Sequence, residues 1–187
     1  MELIFKNFKE IQRLALIVLL MALPVVITSC SDDDDDNNKS NTITEIASTT
    51  SDLSTLYSAL QASGLDAALD GTGPFTVFAP SNAAFANMDQ DELNTIISTP
   101  SLLTSLLQYH VVGDEVFSSD LSNGPVQTLL SGQTVDVSLA GGGVTLNGSS
   151  NVTDADIDAS NGVIHIIDEV LIPEDFFAQT IVQIAAG

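Results

Sequence analysis

Two stretches carry the architecture of this chain: Phe75-Thr76-Val77-Phe78-Ala79-Pro80-Ser81-Asn82-Ala83-Ala84-Phe85 and Asn161-Gly162-Val163-Ile164-His165-Ile166-Ile167-Asp168-Glu169-Val170-Leu171-Ile172-Pro173. The first opens on a short run rich in β-formers, which Pro80 closes. Ser81 or Asn82 then caps a short helical stretch through Phe85. In the second, Asn161-Gly162 permits a sharp turn. Val163, Ile164, Ile166 and Ile167 follow as a near-continuous apolar run, the pattern of a central strand buried on both faces. His165 sits inside that run, where a histidine is ordinarily a core residue satisfied by hydrogen bonds. His110 reads the same way.

Before the first stretch, Ile43–Gly64 reads as helical. Leu53, Leu56, Tyr57 and Leu60 form one stripe, Ser51 or Asp52 offers a cap, and Gly64 suits a left-handed end. Gly71-Thr72-Gly73-Pro74 is a turn signal. After the first stretch, Asp89–Thr99 is a helix with acids in its first turn. Pro100 stands where a further helix begins, and Leu102, Leu103, Leu106 and Leu107 form its apolar stripe. Beyond His110 the period changes to strands: Val116–Phe117, Val126–Leu130, Thr134–Leu139, Val144–Leu146, Val152–Ile157, Gly162–Ile167 and Val170–Ile172. Asn147-Gly148 is a turn dipeptide. Helices early and strands late predict an α+β fold, with helices packed on a mostly antiparallel sheet.

With Tyr109-His110-Val111-Val112 between them, the two stretches resemble the conserved blocks of the fasciclin (FAS1) domain family. The resemblance covers about residues 41–174. It implies a wedge-shaped β-sandwich flanked by several α-helices, with the two blocks pairing in the core. Phe75, Thr76, Val77, Phe78, Ala79, Pro80, Asn82 and Phe85, together with Asn161, Gly162, Val163, Ile164, His165, Asp168, Leu171 and Pro173, are then the structural motif. In animal adhesion proteins of this family an Asp-Ile pair before the second block is linked to integrin binding. The matching pair here is Asp156-Ile157, followed by Asp158 where those motifs carry an apolar residue. The resemblance makes Asp156, Ile157, Tyr109 and His110 the candidate contact residues.

The ends of the chain give its expected location. Residues 1–13 hold Lys6, Lys9 and Arg13, and residues 14–27 are apolar apart from Pro24, a run shorter than the roughly 20 residues a membrane-spanning helix needs. Ile27-Thr28-Ser29-Cys30 ends that run at the only cysteine and resembles a bacterial lipobox. It implies a signal peptide over 1–29 and an acylated Cys30. Ser31 and Asp32–Asp36 resemble a surface-export signal. With the polar residues through Asn41 they form an acidic tether reaching at most about 35–40 Å. The expected product is an outer-membrane lipoprotein exposed at the cell surface. Residues 42–174 are the domain, and 175–187 a tail. Thr180–Ala185 repeats the form of Thr42–Ala47, so the tail is either a closing helix or the start of a second repeat.

Charge narrows the function. The chain carries 25 acidic residues against four Lys and Arg, a net charge of −21, and no Lys or Arg follows Lys39. A surface without cations cannot displace the counterions of a phosphate backbone, which excludes nucleic acid. It equally excludes direct contact with anionic headgroups, leaving the lipid anchor as the membrane link. Asp154, Asp156 and Asp158 begin like an EF-hand loop. However, Ala159 stands at the glycine position and His165 at that of the closing glutamate, so no metal site is assigned. No hydrolase elbow, HExxH or phosphate loop is present, and no cofactor is expected. The chain thus reads as a monomeric, non-catalytic adhesion module for extracellular protein or polysaccharide. The alternatives are a small-ligand carrier or weak calcium-dependent binder, and a glycan-acting accessory enzyme.

Overall fold

The computed structural model describes residues 41–174 and Phe176. Cys30, the acidic tether up to Ser40 and the Thr180–Ala185 repeat lie outside the described residues.

The chain starts with α1 (Ile43–Thr49), a 3-10 turn (Ser51–Leu53), α2 (Ser54–Ser63) and α3 (Asp66–Leu69). Thr42 and Glu45 form a reciprocal capping box at the start of α1. The single helix expected over Ile43–Gly64 is broken at Thr50, which is extended. The Ser48 and Thr49 hydroxyls donate to the Glu45 carbonyl there, and this competition from side chains ends the helix. Ser51 and Asp52 are not the caps of α2. That role falls to Asn82, whose Oδ1 accepts the Thr55 N–H at 2.9 Å while its Nδ2 donates to the Ser51 carbonyl at 2.9 Å. Gly64 closes α2 in the left-handed region as expected, at φ 72°.

β1 (Phe75–Pro80) leads into α4 (Asn82–Asn87), capped by Ser81 Oγ on the Ala84 N–H. α5 (Gln90–Ser98) follows, capped by Asp89, and then α6 (Pro100–Tyr109) with proline at its first turn. The strands after α6 are β2 (Val111–Val112), β3 (Gly124–Gln127), β4 (Thr134–Ser138), β5 (Thr145–Leu146), β6 (Ser150–Ala159) and β7 (Gly162–Ile167). Their order is β2-β1-β7-β6-β5-β4-β3. The β1–β7 pair is parallel, in unbroken register from Phe75 opposite Gly162 to Pro80 opposite Ile167. The other pairings are antiparallel.

Three strand expectations change. Val111–Val112 is a strand that the reading of the sequence missed. Val116–Phe117 and Val170–Ile172 are not strands, because side chains satisfy their backbone: Val116 N–H donates to Thr76 Oγ1, and Leu171 N–H to His110 Nε2. The third is β3, which stops at Gln127 because Thr128 N–H turns back to the Gln133 carbonyl.

Side-chain alternation on β1 and β7 builds two cores. Val77, Ala79, Ile164 and Ile166 face the helices and pack with Leu56, Leu60, Leu103 and Leu106. Phe78 and Ile167 face the other way and pack with Val135, Val137 and Leu146 of the far strands. β7 is buried along its whole length, so the middle layer has helices on one face and strands on the other. Phe176 is buried in the helix-side core, two residues past the expected domain boundary at 174.

Candidate functional site

Glycine permits the central pairing. A Cβ at Gly162, where φ is 150°, would lie 1.9 Å from the Phe75 carbonyl oxygen, and one at Gly73 would lie 2.0 Å from that of Asn161. Asn161 ties this junction to the helices. Its Oδ1 accepts the Ile43 N–H at 3.0 Å, and its Nδ2 donates to the Leu69 and Gly71 carbonyls at 2.6 and 2.9 Å.

His110 caps α6 from inside the core. Its Nδ1–H donates to the Leu106 carbonyl at 2.8 Å, so Nε2 is the acceptor for Leu171 N–H at 2.9 Å. Burial pushes its pKa down to about 4, against a smaller opposing effect of the Leu106 bond. His110, a candidate contact residue in the sequence, has no surface to offer a partner. His165 is as deeply buried and stacks on Phe78 with ring centroids 5.7 Å apart. Its Nε2–H donates to the Val116 carbonyl at 2.9 Å, leaving Nδ1 to accept the Asp156 N–H at 3.2 Å.

Asp156 lies on a β-bulge, between register shifts of β6 against β7, at φ 60°. Its residue is exposed, but its carboxylate accepts both the N–H (2.6 Å) and the hydroxyl of Ser118. Those two bonds hold the carboxyl below its ordinary pKa. Thr76 Oγ1 donates to the Asp114 carbonyl at 2.6 Å and accepts the Val116 N–H at 2.8 Å. Three strands therefore clasp the segment 114–118 through Thr76, Asp156 and His165. Ile157, a candidate contact residue in the sequence, is half-buried against the helix-side core. The Asp-Ile pair is thus a brace in this domain. Among the described residues no group of three or more His, Cys, Asp or Glu side chains is placed to hold a metal ion.

Tyr109 is the candidate that reaches a cleft. Its ring is buried, and its hydroxyl donates to the Thr134 carbonyl at 2.9 Å and accepts from Asn147 Nδ2 at 3.0 Å. Burial raises the phenol pKa. The Asn147 bond offsets part of that rise, and the nearby Glu174 and Asp136 carboxylates add to it. These groups, with Glu169 and Leu171, line an open polar cleft of about 980 Å³. No local sequence signal marks the cleft, because its walls come from α6, β4, the β5–β6 turn and the segment after β7. Chemically it offers carboxylates and amides to a polar partner, and no imidazole base reaches it.

Comparison with known proteins agrees with this architecture. A family model described as Fasciclin domain matches residues 51–173. The pig transforming growth factor-beta-induced protein ig-h3 is 37% identical over 147 residues, which is 79% of this chain and 21% of that protein. Protein sll1483 of Synechocystis is 39% identical over 134 residues, 71% of this chain and 73% of that protein. The chain therefore spans only about a fifth of the pig relative but most of the cyanobacterial one. Among solved structures, a FAS1 domain pair from the insect cell adhesion molecule Fasciclin I superposes with a TM-score of 0.62 at 20% identity. That alignment covers 73% of this chain and 52% of that one.

Proposed function

Because the chain belongs to the fasciclin domain family, we propose that it is a non-catalytic adhesion module, held at the cell surface by an acylated Cys30 and engaging an extracellular protein or polysaccharide. The observation that carries the non-catalytic part is the fate of the two histidines. Each has both ring nitrogens committed to its own backbone, so neither is free to act as a base toward a substrate. The adhesive part is supported by membership of the fasciclin family and by the fold shared with a FAS1 domain pair of an insect cell adhesion molecule. The location rests on the lipobox-like Ile27-Thr28-Ser29-Cys30 and the aspartate run behind it. Two or more acyl chains anchor firmly where one is marginal.

Bacteria expressing the full chain are compared with the same cells expressing the Cys30→Ala variant, on surfaces coated with glycans or matrix proteins. The native chain is expected to raise cell retention on at least one coating, and C30A to abolish that gain and leave the membrane fraction. Retention no better than that of cells lacking the protein, on every coating, removes the adhesion reading. Unchanged membrane association of C30A removes the anchor.

A further inference from the structure

The chain contains the dipeptides Asn123-Gly124, Asn147-Gly148 and Asn161-Gly162. Glycine has no Cβ to obstruct approach of its nitrogen to the preceding side chain, so Asn-Gly is prone to spontaneous cyclisation. The glycine nitrogen bonds to asparagine Cγ and gives up its proton. The Cγ–Nδ2 bond breaks, and Nδ2 leaves as ammonia with that proton. Water then opens the cyclic imide at either carbonyl, giving aspartate or isoaspartate. Water is the only co-reactant.

The fold grades the three sites. At Asn161 the carboxamide makes three bonds, to Ile43, Leu69 and Gly71. At Asn147 it makes two: Oδ1 accepts the Asp136 N–H at 2.9 Å and Nδ2 donates to the Tyr109 hydroxyl at 3.0 Å. Asn123 is exposed and makes one, its Oδ1 accepting the Leu139 N–H at 2.7 Å. Among the described residues its Nδ2, the leaving group, has no partner. Cyclisation requires the carboxamide to swing out of these bonds. We infer that Asn123 is the self-modification site of the folded domain, with Asn147 slower and Asn161 protected until the domain opens.

The two products differ in consequence. Aspartate at 123 keeps an oxygen for the Leu139 N–H. Isoaspartate adds a methylene to the main chain beside Gly124, which pairs with Val137 at the end of the β3–β4 ladder. Just past β3, Leu129 N–H donates to the Val111 carbonyl at 2.7 Å and so covers the edge of β2. Isoaspartate at 123 therefore loosens the Gly124 end of the β3–β4 ladder, the opposite end of β3 from that contact.

The test is peptide mass mapping of the purified full chain aged at mildly alkaline pH, following the one-dalton gain at each asparagine. In the folded protein each bond is expected to slow the reaction about fivefold, so Asn123 leads and Asn161 trails. In urea the three rates converge. Tyr109→Phe removes the partner of Asn147 Nδ2 and is expected to speed Asn147 alone, with Asn161 serving as the internal monitor of global opening. Equal rates in the folded chain, or the same spread in urea, overturn the inference. So does a Y109F variant in which Asn147 does not change, or in which Asn161 accelerates as much as Asn147.

Discussion

His165 occupies one position and holds three elements: the stack on Phe78, the Val116 carbonyl and the Asp156 amide. Truncation to His165→Ala leaves a cavity and removes the partner of two part-buried backbone groups. A loss of about 3–5 kcal/mol is expected, read as a lower denaturation midpoint. An unchanged midpoint with lost partner binding would show a contact role instead. His110 makes the acid behaviour predictable. Its folded pKa is depressed, from 6.5 to about 4, so the unfolded chain binds more protons between those values. Its contribution is complete above pH 6.5 and disappears as pH falls toward 4, a loss of about 3 kcal/mol. Asp156, also depressed, adds to the decline below its ordinary 3.8. Denaturation at pH 7 and pH 5 checks the sign, since a chain equally stable at both has a normally titrating His110.

The decisive element is the parallel β1–β7 pair. Gly162→Ala would drive a methyl into the Phe75 carbonyl, and the pair cannot form without a main-chain shift. A loss of about 4 kcal/mol or more is expected, seen as an unfolded or strongly destabilised protein by circular dichroism. At Gly64 a Cβ meets nothing within 4 Å but still needs φ 72°, so Gly64→Ala should cost only about 1–2 kcal/mol. Equal effects at the two positions would mean that backbone handedness, and not the close approach of β7 to β1, sets the requirement. The two block asparagines act at the same scale. Asn82 and Asn161 lie 79 positions apart in sequence, yet each satisfies the free amide at the start of a helix packed on this pair.

At the scale of the molecule, charge dominates. No lysine or arginine follows Lys39, so no Lys or Arg side chain of the domain can pair with its carboxylates. Their mutual repulsion is long-ranged in dilute buffer and screened at physiological salt, where the Debye length falls from about 30 Å to about 8 Å. The melting temperature is therefore expected to rise when sodium chloride goes from 10 to about 150 mM. A flat or falling response would show that the repulsion is as strong in the unfolded chain. Under the proposed adhesive role the acidic surface suits a neutral or basic partner, and the polar cleft beside Tyr109 is one concavity among the described residues.

Local pattern was enough to determine most of the helices, the strands β1, β4 and β7, a cap at Ser81 or Asn82 and the proline-led start of α6, while the pairing of the two blocks was implied by the family resemblance. Apolar periodicity and turn residues act within a few positions and are readable as such. What tertiary structure alone decided lies where distant segments satisfy one another. Asn82, not Ser51 or Asp52, caps α2; residues 116–117 and 170–172 give up strand pairing for Thr76 and His110; the exposed Asp156 carboxylate ties β6 to Ser118, and Ile157 packs half-buried on the helix-side core. A hydrogen bond between residues 40 or 61 positions apart leaves no period in the sequence. It exists only after the hydrophobic burial of β1 and β7 has brought those positions within 3 Å of each other.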